Sequence, residues 1–499
     1  MNIAEILEKQ TKKYQDKPAV IFREQNITFQ QLKDISLKLA VGLQDLGVKR
    51  GDKVAIYLPN CLEYIYSCLA VFYCGAIAVP LDFMLTEEEL ASCISHSEVT
   101  VLITKSKPKV SWVNLKEICP HLKNIIFCHQ NLDNFLSFEE LIRKATNIIP
   151  RVLIREEDCA LIFYTSGTTG RPKGISVNYF QLGICMRALE HFVDLSDKDI
   201  ALCAVPFSHI GGFIYILTNI YFGLTVVLME RFIPLEFLKH IQNYRISCFW
   251  IVPSMYYAIL QLKEFETLDL SSLRWIVSFG ASSSSDALRR FHKYCPCAHL
   301  LNGWGMTETS PPNTVIPMGS TKIESVGRPA PWIEIKIFDE NDKELPTGQI
   351  GEIVIKGEGV FDGYYKDPQS TNQAIRNGWF HTGDLGRLDK EGYLYIVGRI
   401  KEMIKVAGEI VFEPEIESAI YRHPAVNEVA VIGVVDKLRG EVPKAFIVLK
   451  NGSKSNAEEL RYFCRKYLAH FKIPRYFEFR DKLPKTSSAK VDKDALRKL

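Results

Sequence analysis

The sequence predicts an α/β protein: a large N-terminal domain of helix-covered sheets with a β-rich section, followed by a small C-terminal α+β domain. Three observations lead there. Short β-branched runs alternate with longer helical patterns through the first part of the chain, the rhythm of parallel sheets with helices on their faces. A stretch of strand-like segments separated by Gly- and Asp-rich turns follows. Near Arg399 the texture changes again, to a compact unit with its own helices and strands. A chain of 499 residues also exceeds what one hydrophobic core holds, and the domains expected are 1–398 and 399–499.

Taken in order, the first alternation runs strand 54–58, helix 62–73, strand 77–80, helix 87–95 and strand 99–103. It resumes with strand 202–205, helix 235–244, strand 247–252 and strand 275–278. The β-rich section holds strands 333–338, 351–356 and 393–397. Beyond Arg399 come helix 413–421, strands 426–435 and 444–449, an amphipathic helix 456–468 and a short strand 476–479. The apolar stretch 213–229 is shorter than the roughly 20 residues a membrane span needs. Thr218, Asn219, Gly223 and Thr225 interrupt it, and Glu230 and Arg231 end it. A buried helix followed by a buried strand is expected there, and no transmembrane segment.

Composition narrows the function. Hydrophobic residues make up 47% and charged residues 24%, as in soluble globular proteins. A net charge of +3 without a basic stripe argues against a nucleic-acid partner. The N-terminus lacks the apolar core and cleavage site of a secretory signal. A cytoplasmic location is therefore expected, with the 13 cysteines reduced and mostly buried.

The densest motif is Tyr164-Thr165-Ser166-Gly167-Thr168-Thr169-Gly170-Arg171-Pro172-Lys173-Gly174, placed after the strand-like run 160–163. Its glycines let backbone N–H groups approach a polyphosphate closely, and its hydroxyls and the Lys173 ammonium add donors. The Gly-Lys-Ser/Thr ending of a Walker-type loop is absent. Further on stand Asn302-Gly303-Trp304-Gly305-Met306-Thr307-Glu308, Ser278-Phe279-Gly280-Ala281, His381-Thr382-Gly383-Asp384, Val397-Gly398-Arg399 and, close to the C-terminus, Pro484-Lys485-Thr486-Ser487-Ser488-Ala489-Lys490.

With these segments the chain resembles the adenylate-forming enzymes, a family that includes acyl-CoA synthetases, firefly luciferase and the adenylation domains of peptide synthetases. The resemblance runs from Lys17 to Lys490 and is best for the acyl-CoA synthetase branch. It implies that ATP is bound by Thr165, Ser166, Gly167, Thr168, Thr169, Gly170 and Lys173 and by Asn302, Gly303, Trp304, Gly305, Met306 and Thr307. Trp304 would stack on adenine in place of the usual tyrosine, Thr307 would donate to the α-phosphate, and Glu308 with Thr165 would hold Mg²⁺. Gly280 and Ala281 would line the adenine and acyl pockets; Phe279 replaces a customary glycine beside them. Asp384 and Arg399 would contact the ribose.

Lys490 is implied as the catalytic lysine of adenylation, bridging the carboxylate and the α-phosphate as charge develops. Ala489 stands where glycine is usual. Lys401 falls at the hinge about which a mobile C-terminal domain rotates between two half-reactions, and Lys405, in Lys405-Val406-Ala407-Gly408-Glu409, would approach the thiol. His209, in Val205-Pro206-Phe207-Ser208-His209-Ile210-Gly211-Gly212, would lie beside the carboxylate being activated. Amino-acid-activating relatives place aspartate where this chain has Ser208, so an α-amino acid substrate is not expected. The segments 250–255 and 213–217 suit an aliphatic or aromatic tail.

The expected activity is ATP-dependent formation of an acyl-adenylate from a fatty or aryl acid, then thioester formation with coenzyme A. The rivals are an acyl-AMP ligase that loads the phosphopantetheine of a carrier protein and a non-catalytic nucleotide-binding protein. No carrier domain follows Leu499, which makes free coenzyme A the expected acceptor. A homodimer is compatible with the sequence.

Overall fold

Runs such as Val101–Thr104 and Thr225–Leu228 have no polar face, so they are stable only in sheets covered on both sides. The computed structural model describes residues 1–130, 132–145, 152–165, 173–279, 285–407, 409–436, 438–485 and 491–498, and it places these runs in two large sheets. In one, parallel pairing joins Pro18–Phe22, Thr225–Leu228, Ile200–Cys203, Cys248–Ile251, Trp275–Ser278 and His299–Trp304, in that spatial order. In the other, Asn124–Phe127, Val101–Thr104, Lys53–Tyr57, Ile77–Pro80 and Cys159–Thr165 lie parallel, and antiparallel Lys173–Asn178 follows at the edge. Every residue of Ile77–Pro80, Val101–Thr104 and Thr225–Leu228 is buried, as the sequence pattern requires.

Helix Leu62–Tyr73, strands Ile77–Pro80, Trp275–Ser278, Ile333–Phe338 and Tyr476–Phe479, and helix Glu413–Tyr421 fall at the expected residues. The apolar stretch forms helix Ile210–Phe222 and strand Thr225–Leu228, divided at Gly223, whose φ of 72° lets the chain turn. No described helix is long and apolar enough to cross a membrane. The helix expected over 456–468 is Ala457–Cys464. It ends early because Lys466 and Tyr467 bond back three residues, to Phe463 and Cys464, and tighten the chain into turns.

The β-rich section is an antiparallel sheet of Ile333–Phe338, Gly351–Gly357, Trp379–Leu388 and Leu394–Arg399, with Ile375–Arg376 at one edge. Past Arg399 a separate sheet pairs Glu409–Phe412, Met403–Val406, Gly440–Leu449 and Val426–Asp436, with Tyr476–Phe479 alongside Gly440–Leu449. Helices Glu413–Tyr421 and Ala457–Cys464 supply its apolar cover through Ile416, Ile420 and Leu460. Glu413, with 2% of its side chain exposed, meets Lys493 and Arg497 at 2.9 Å each and so ties the last helix to this unit. The small unit is thus a second, smaller domain with its own core. Tyr421 packs on Tyr257 of the large domain, ring centroids 4.2 Å apart.

Asp389 closes the hairpin between Trp379–Leu388 and Leu394–Arg399. Its Oδ1 accepts from the Glu391 and Tyr393 amides at 2.9 Å, and Lys322 Nζ lies 2.7 Å from Oδ2. Burial would raise its pKa, but the lysine and the two amides together outweigh it and bring the carboxyl down to about 2. Because the folded value lies below the unfolded one, this stabilisation is present above the unfolded pKa and is lost as pH falls through about 2. Asp389→Asn is therefore expected to lower stability by about 1 kcal/mol at neutral pH, after allowance for solvent screening. Denaturant midpoints of the two proteins should converge as the pH falls from about 4 towards about 2.

Candidate active site

Strands Cys159–Thr165 and Lys173–Asn178 stay paired to their ends, with Thr165 opposite Lys173. The two strands therefore flank the glycine-rich segment as an antiparallel pair. That segment's residues Ser166, Gly167, Thr168, Thr169 and Gly170 lie outside the described residues, as do Gly280, Ala281, Gly408 and Lys490. Lys173 Nζ sits 4.7 Å over the Tyr364 ring. The Tyr364 hydroxyl in turn donates to Glu308 Oε1 at 3.3 Å. Tyr364 thus links Lys173 to Glu308, a contact that the sequence reading did not assign and that no local signal marks.

Glu308 is half-buried on the single turn Thr307–Thr309. Burial, the largest effect, holds its carboxyl pKa above the ordinary value; Asp384 pushes the same way, while Tyr364 and Arg399 oppose. A carboxylate so desolvated is a fitting place for a cation. Among the described residues no three His, Cys, Asp or Glu groups come together. Mg²⁺ takes one or two carboxylates plus substrate phosphates, and Glu308 presents one carboxylate on this turn.

Trp304 ends strand His299–Trp304 and is 7% exposed. Its indole Nε1 donates to Asp384 Oδ2 at 2.9 Å, a contact the expectation of a purely stacking ring did not include. Arg399 lies directly across the hairpin from Asp384, and its Nε is 2.9 Å from Asp384 Oδ1. Asp384 itself follows a bulge in strand Trp379–Leu388, where Gly383 adopts a φ of 71°. Glu352 on the neighbouring strand holds that bulge, accepting from the Gly383 amide at 3.0 Å and lying 2.8 Å from His381 Nδ1.

The ring of Phe279 rests on Gly303, so that a methyl at Gly303 would overlap it. Asn302 is buried and donates to the Ile323 carbonyl at 2.7 Å, and Gly305 passes close to Pro311. On the acyl side, Asn60 fixes the segment 205–209. Its amide donates to Val205 O at 3.0 Å and its oxygen accepts from the Phe207 amide at 2.9 Å. His209 begins helix Ile210–Phe222, with Nε2 3.5 Å from Asp82 Oδ2. Neither Asn60 nor Asp82 was singled out from sequence. Trp250 stacks on Tyr215 with centroids 3.7 Å apart, and its indole donates to Gly211 O at 2.6 Å.

The described residues therefore bring together Lys173, Tyr364 and Glu308, and Trp304, Asp384 and Arg399. Lys401 is exposed on the turn Ile400–Glu402. Lys405 is not drawn into this cluster: it is exposed on strand Met403–Val406, with its amide bonded to Glu441 at 3.0 Å. An isolated bridge pairs Lys485 with Val491 and so brackets the segment that carries Lys490.

Two α/β sheets, a β-rich section and a small C-terminal domain make up the fold, and the contacts that join Lys173, Tyr364 and Glu308 and those that join Trp304, Asp384 and Arg399 all precede the sheet of the small domain. The chain belongs to the AMP-binding enzymes: residues 7–365 match the profile described as AMP-binding enzyme, and residues 415–490 match its C-terminal domain. It is 33% identical to the long-chain-fatty-acid–CoA ligase of Bacillus subtilis, covering 97% of this chain and 92% of that one. Its fold superposes on the anthranilate CoA ligase AuaEII in complex with anthranoyl-AMP with a TM-score of 0.93 at 28% identity, covering 100% of this chain and 97% of that one. The o-succinylbenzoate CoA synthetase MenE of Bacillus subtilis, in complex with ATP and a magnesium ion, gives 0.86 at 28% identity and 99% coverage of both chains.

The contact of Phe279 with Gly303 yields a test. Gly303→Ala is expected to destabilise the site by about 1–3 kcal/mol through overpacking and to weaken nucleotide binding. Adding Phe279→Ala should restore much of the loss. A double-mutant cycle in thermal unfolding and ATP titration checks this, and strict additivity would show that the two side chains do not constrain each other.

Proposed function

We propose that the chain is an AMP-forming acid–thiol ligase that activates a fatty or aryl carboxylic acid with ATP and passes the acyl group to coenzyme A. The observation that carries this reading is the convergence of distant segments: Lys173 through Tyr364 to Glu308, and Trp304 through Asp384 to Arg399. Relatives whose names specify a long-chain fatty acid or anthranilate support both acid classes. The apolar segments 213–217 and 250–255 suit an aliphatic or aromatic tail, and Ser208 supplies no carboxylate for an amino group.

In this reading Thr165, the loop 166–170 and Lys173 surround the triphosphate, while Asp384 accepts from the ribose hydroxyls beside Arg399. Gly280, Ala281 and the segment Asn302, Gly303, Trp304, Gly305 and Met306 form the adenine side. A carboxylate oxygen of the acid attacks the α-phosphorus, the bond to pyrophosphate breaks, and pyrophosphate leaves with the electron pair. Thr307 donates to the α-phosphate and Lys490 screens the approaching anions. Glu308 and Thr165 would hold Mg²⁺, which would supply further charge neutralisation. His209 lies beside the reacting carboxylate. The thiol sulfur of coenzyme A then attacks the acyl carbon, its proton is lost, and AMP departs. For that step the domain 399–499 rotates against 1–398 about Lys401, and Lys405 moves towards the thiol.

The first test is pyrophosphate release with ATP, Mg²⁺ and a panel of short, medium and long fatty, benzoate-like and amino acids, each with and without coenzyme A. Release with one acid class, accelerated by coenzyme A and accompanied by a thioester, is the expected result. Silence across the panel would reject the ligase reading. Lys490→Ala should lower adenylate formation by about 10²–10³-fold while leaving thioester formation from supplied acyl-adenylate nearly intact. Equal loss of both steps would remove Lys490 from its assigned place.

A further inference from the structure

The segment 361–365 is stitched to two parts of the site by its own backbone. The Tyr365 amide donates to Gly174 O at 2.8 Å, next to Lys173, and the Phe361 amide donates to Glu308 O, also at 2.8 Å. Tyr364 lies between these two bonds. It pairs with Ile175 in an isolated bridge, and its amide donates to Thr371 Oγ1 at 2.9 Å. Its side chain therefore has a fixed origin, and it stands between two opposite charges. The Lys173 ammonium sits 4.7 Å over the ring face, and the hydroxyl donates to Glu308 Oε1 at 3.3 Å. Among the described residues neither Lys173 nor Glu308 makes an ion pair. An ammonium on a flexible four-carbon stem is ordinarily drawn to a half-buried carboxylate, since their attraction grows as water is excluded.

We infer that Tyr364 is a positioning residue that keeps Lys173 and Glu308 from neutralising each other: its ring face holds the ammonium and its hydroxyl holds the carboxylate, so that the one can meet a phosphate oxygen and the other a divalent cation. This rests on the reading of Lys173 as a triphosphate contact and of Glu308 as the Mg²⁺ carboxylate. Both halves of the tyrosine are required. A ring without the hydroxyl leaves the ammonium in place but frees the carboxylate to turn about its broad terminal torsion. An aliphatic side chain removes both holds and lets the lysine fall onto the glutamate. The alternative is that Tyr364 only fills space against Phe361, whose ring centroid is 4.9 Å away. The size of the side chain would then matter, and its two charged neighbours would not.

The test is equilibrium binding of ATP to the full chain by titration calorimetry, first with EDTA and then with rising Mg²⁺, without any acid substrate. The proteins compared are the parent, Tyr364→Phe, Tyr364→Leu, Lys173→Met, Glu308→Gln, and Tyr364→Leu combined with Glu308→Gln. In Tyr364→Phe, affinity for metal-free ATP should stay within about two-fold of the parent. The Mg²⁺ concentration that gives half of the metal-dependent gain should rise about ten-fold, the size of a lost hydrogen bond to a charged group. In Tyr364→Leu the metal-free affinity should fall as well, by about ten-fold. With Glu308→Gln added, that second loss should shrink to within about two-fold of Glu308→Gln alone, because no carboxylate is left to capture Lys173. A ten-fold loss that persists in the Glu308→Gln background, or an unchanged Mg²⁺ requirement in Tyr364→Phe, would overturn the positioning role. Unchanged metal-free affinity in Lys173→Met, or an unchanged Mg²⁺ requirement in Glu308→Gln, would overturn the underlying reading of those residues, and the role of Tyr364 with it.

Discussion

A carboxylate withdrawn from water must find its compensation inside the protein, and Asp384 finds it at both oxygens. The partners come from different layers. Arg399 is the residue directly across the antiparallel hairpin, whereas Trp304 ends a strand of the large parallel sheet. One buried charge therefore couples the β-rich section to the parallel core. The bulge at Gly383, held by the Glu352 carboxylate, lies immediately before Asp384.

The remaining site residues follow from strand polarity. Thr165 ends strand Cys159–Thr165, Phe279 follows Trp275–Ser278, Trp304 ends His299–Trp304, and the segment carrying His209 follows Ile200–Cys203. All lie at the carboxyl ends of parallel strands, where open α/β sheets bind ligands because backbone leaves the ladder and is free to face a ligand. Asn60 extends the principle: it bonds both Val205 and Phe207 and converts a loop into a fixed wall. Covered sheets thus fix where these residues stand, while the exposed turn Ile400–Glu402 separates them from a domain with its own core.

That second domain is held by apolar packing and by one buried cluster. Glu413 meets Lys493 and Arg497, and Lys493 also meets Glu417 at 2.8 Å. Burial raises the Glu413 pKa, and the two cations counter it. The last helix is pinned in this way just beyond the segment of Lys490, so a short, polar C-terminal stretch acquires a defined anchor.

The sequence by itself determined the element types and most boundaries, because fully buried runs such as 77–80 and 275–278 leave no other stable environment than a covered sheet. It also marked the glycine- and hydroxyl-rich segment 164–174 as distinctive, since closely spaced glycines and hydroxyls are a local property. Local signals fail where a contact spans the chain. Trp304 and Asp384 are 80 residues apart, Tyr364 and Glu308 are 56 apart, and Asn60 and Phe207 are 147 apart. Nothing in the neighbourhood of Trp304 says that its N–H will meet a carboxylate, and nothing near Tyr364 says that it will lie between a lysine and a glutamate. Those pairings were decided only by tertiary structure, because a hydrogen bond depends on positions set by the packing of whole sheets and not on the order of residues along one strand.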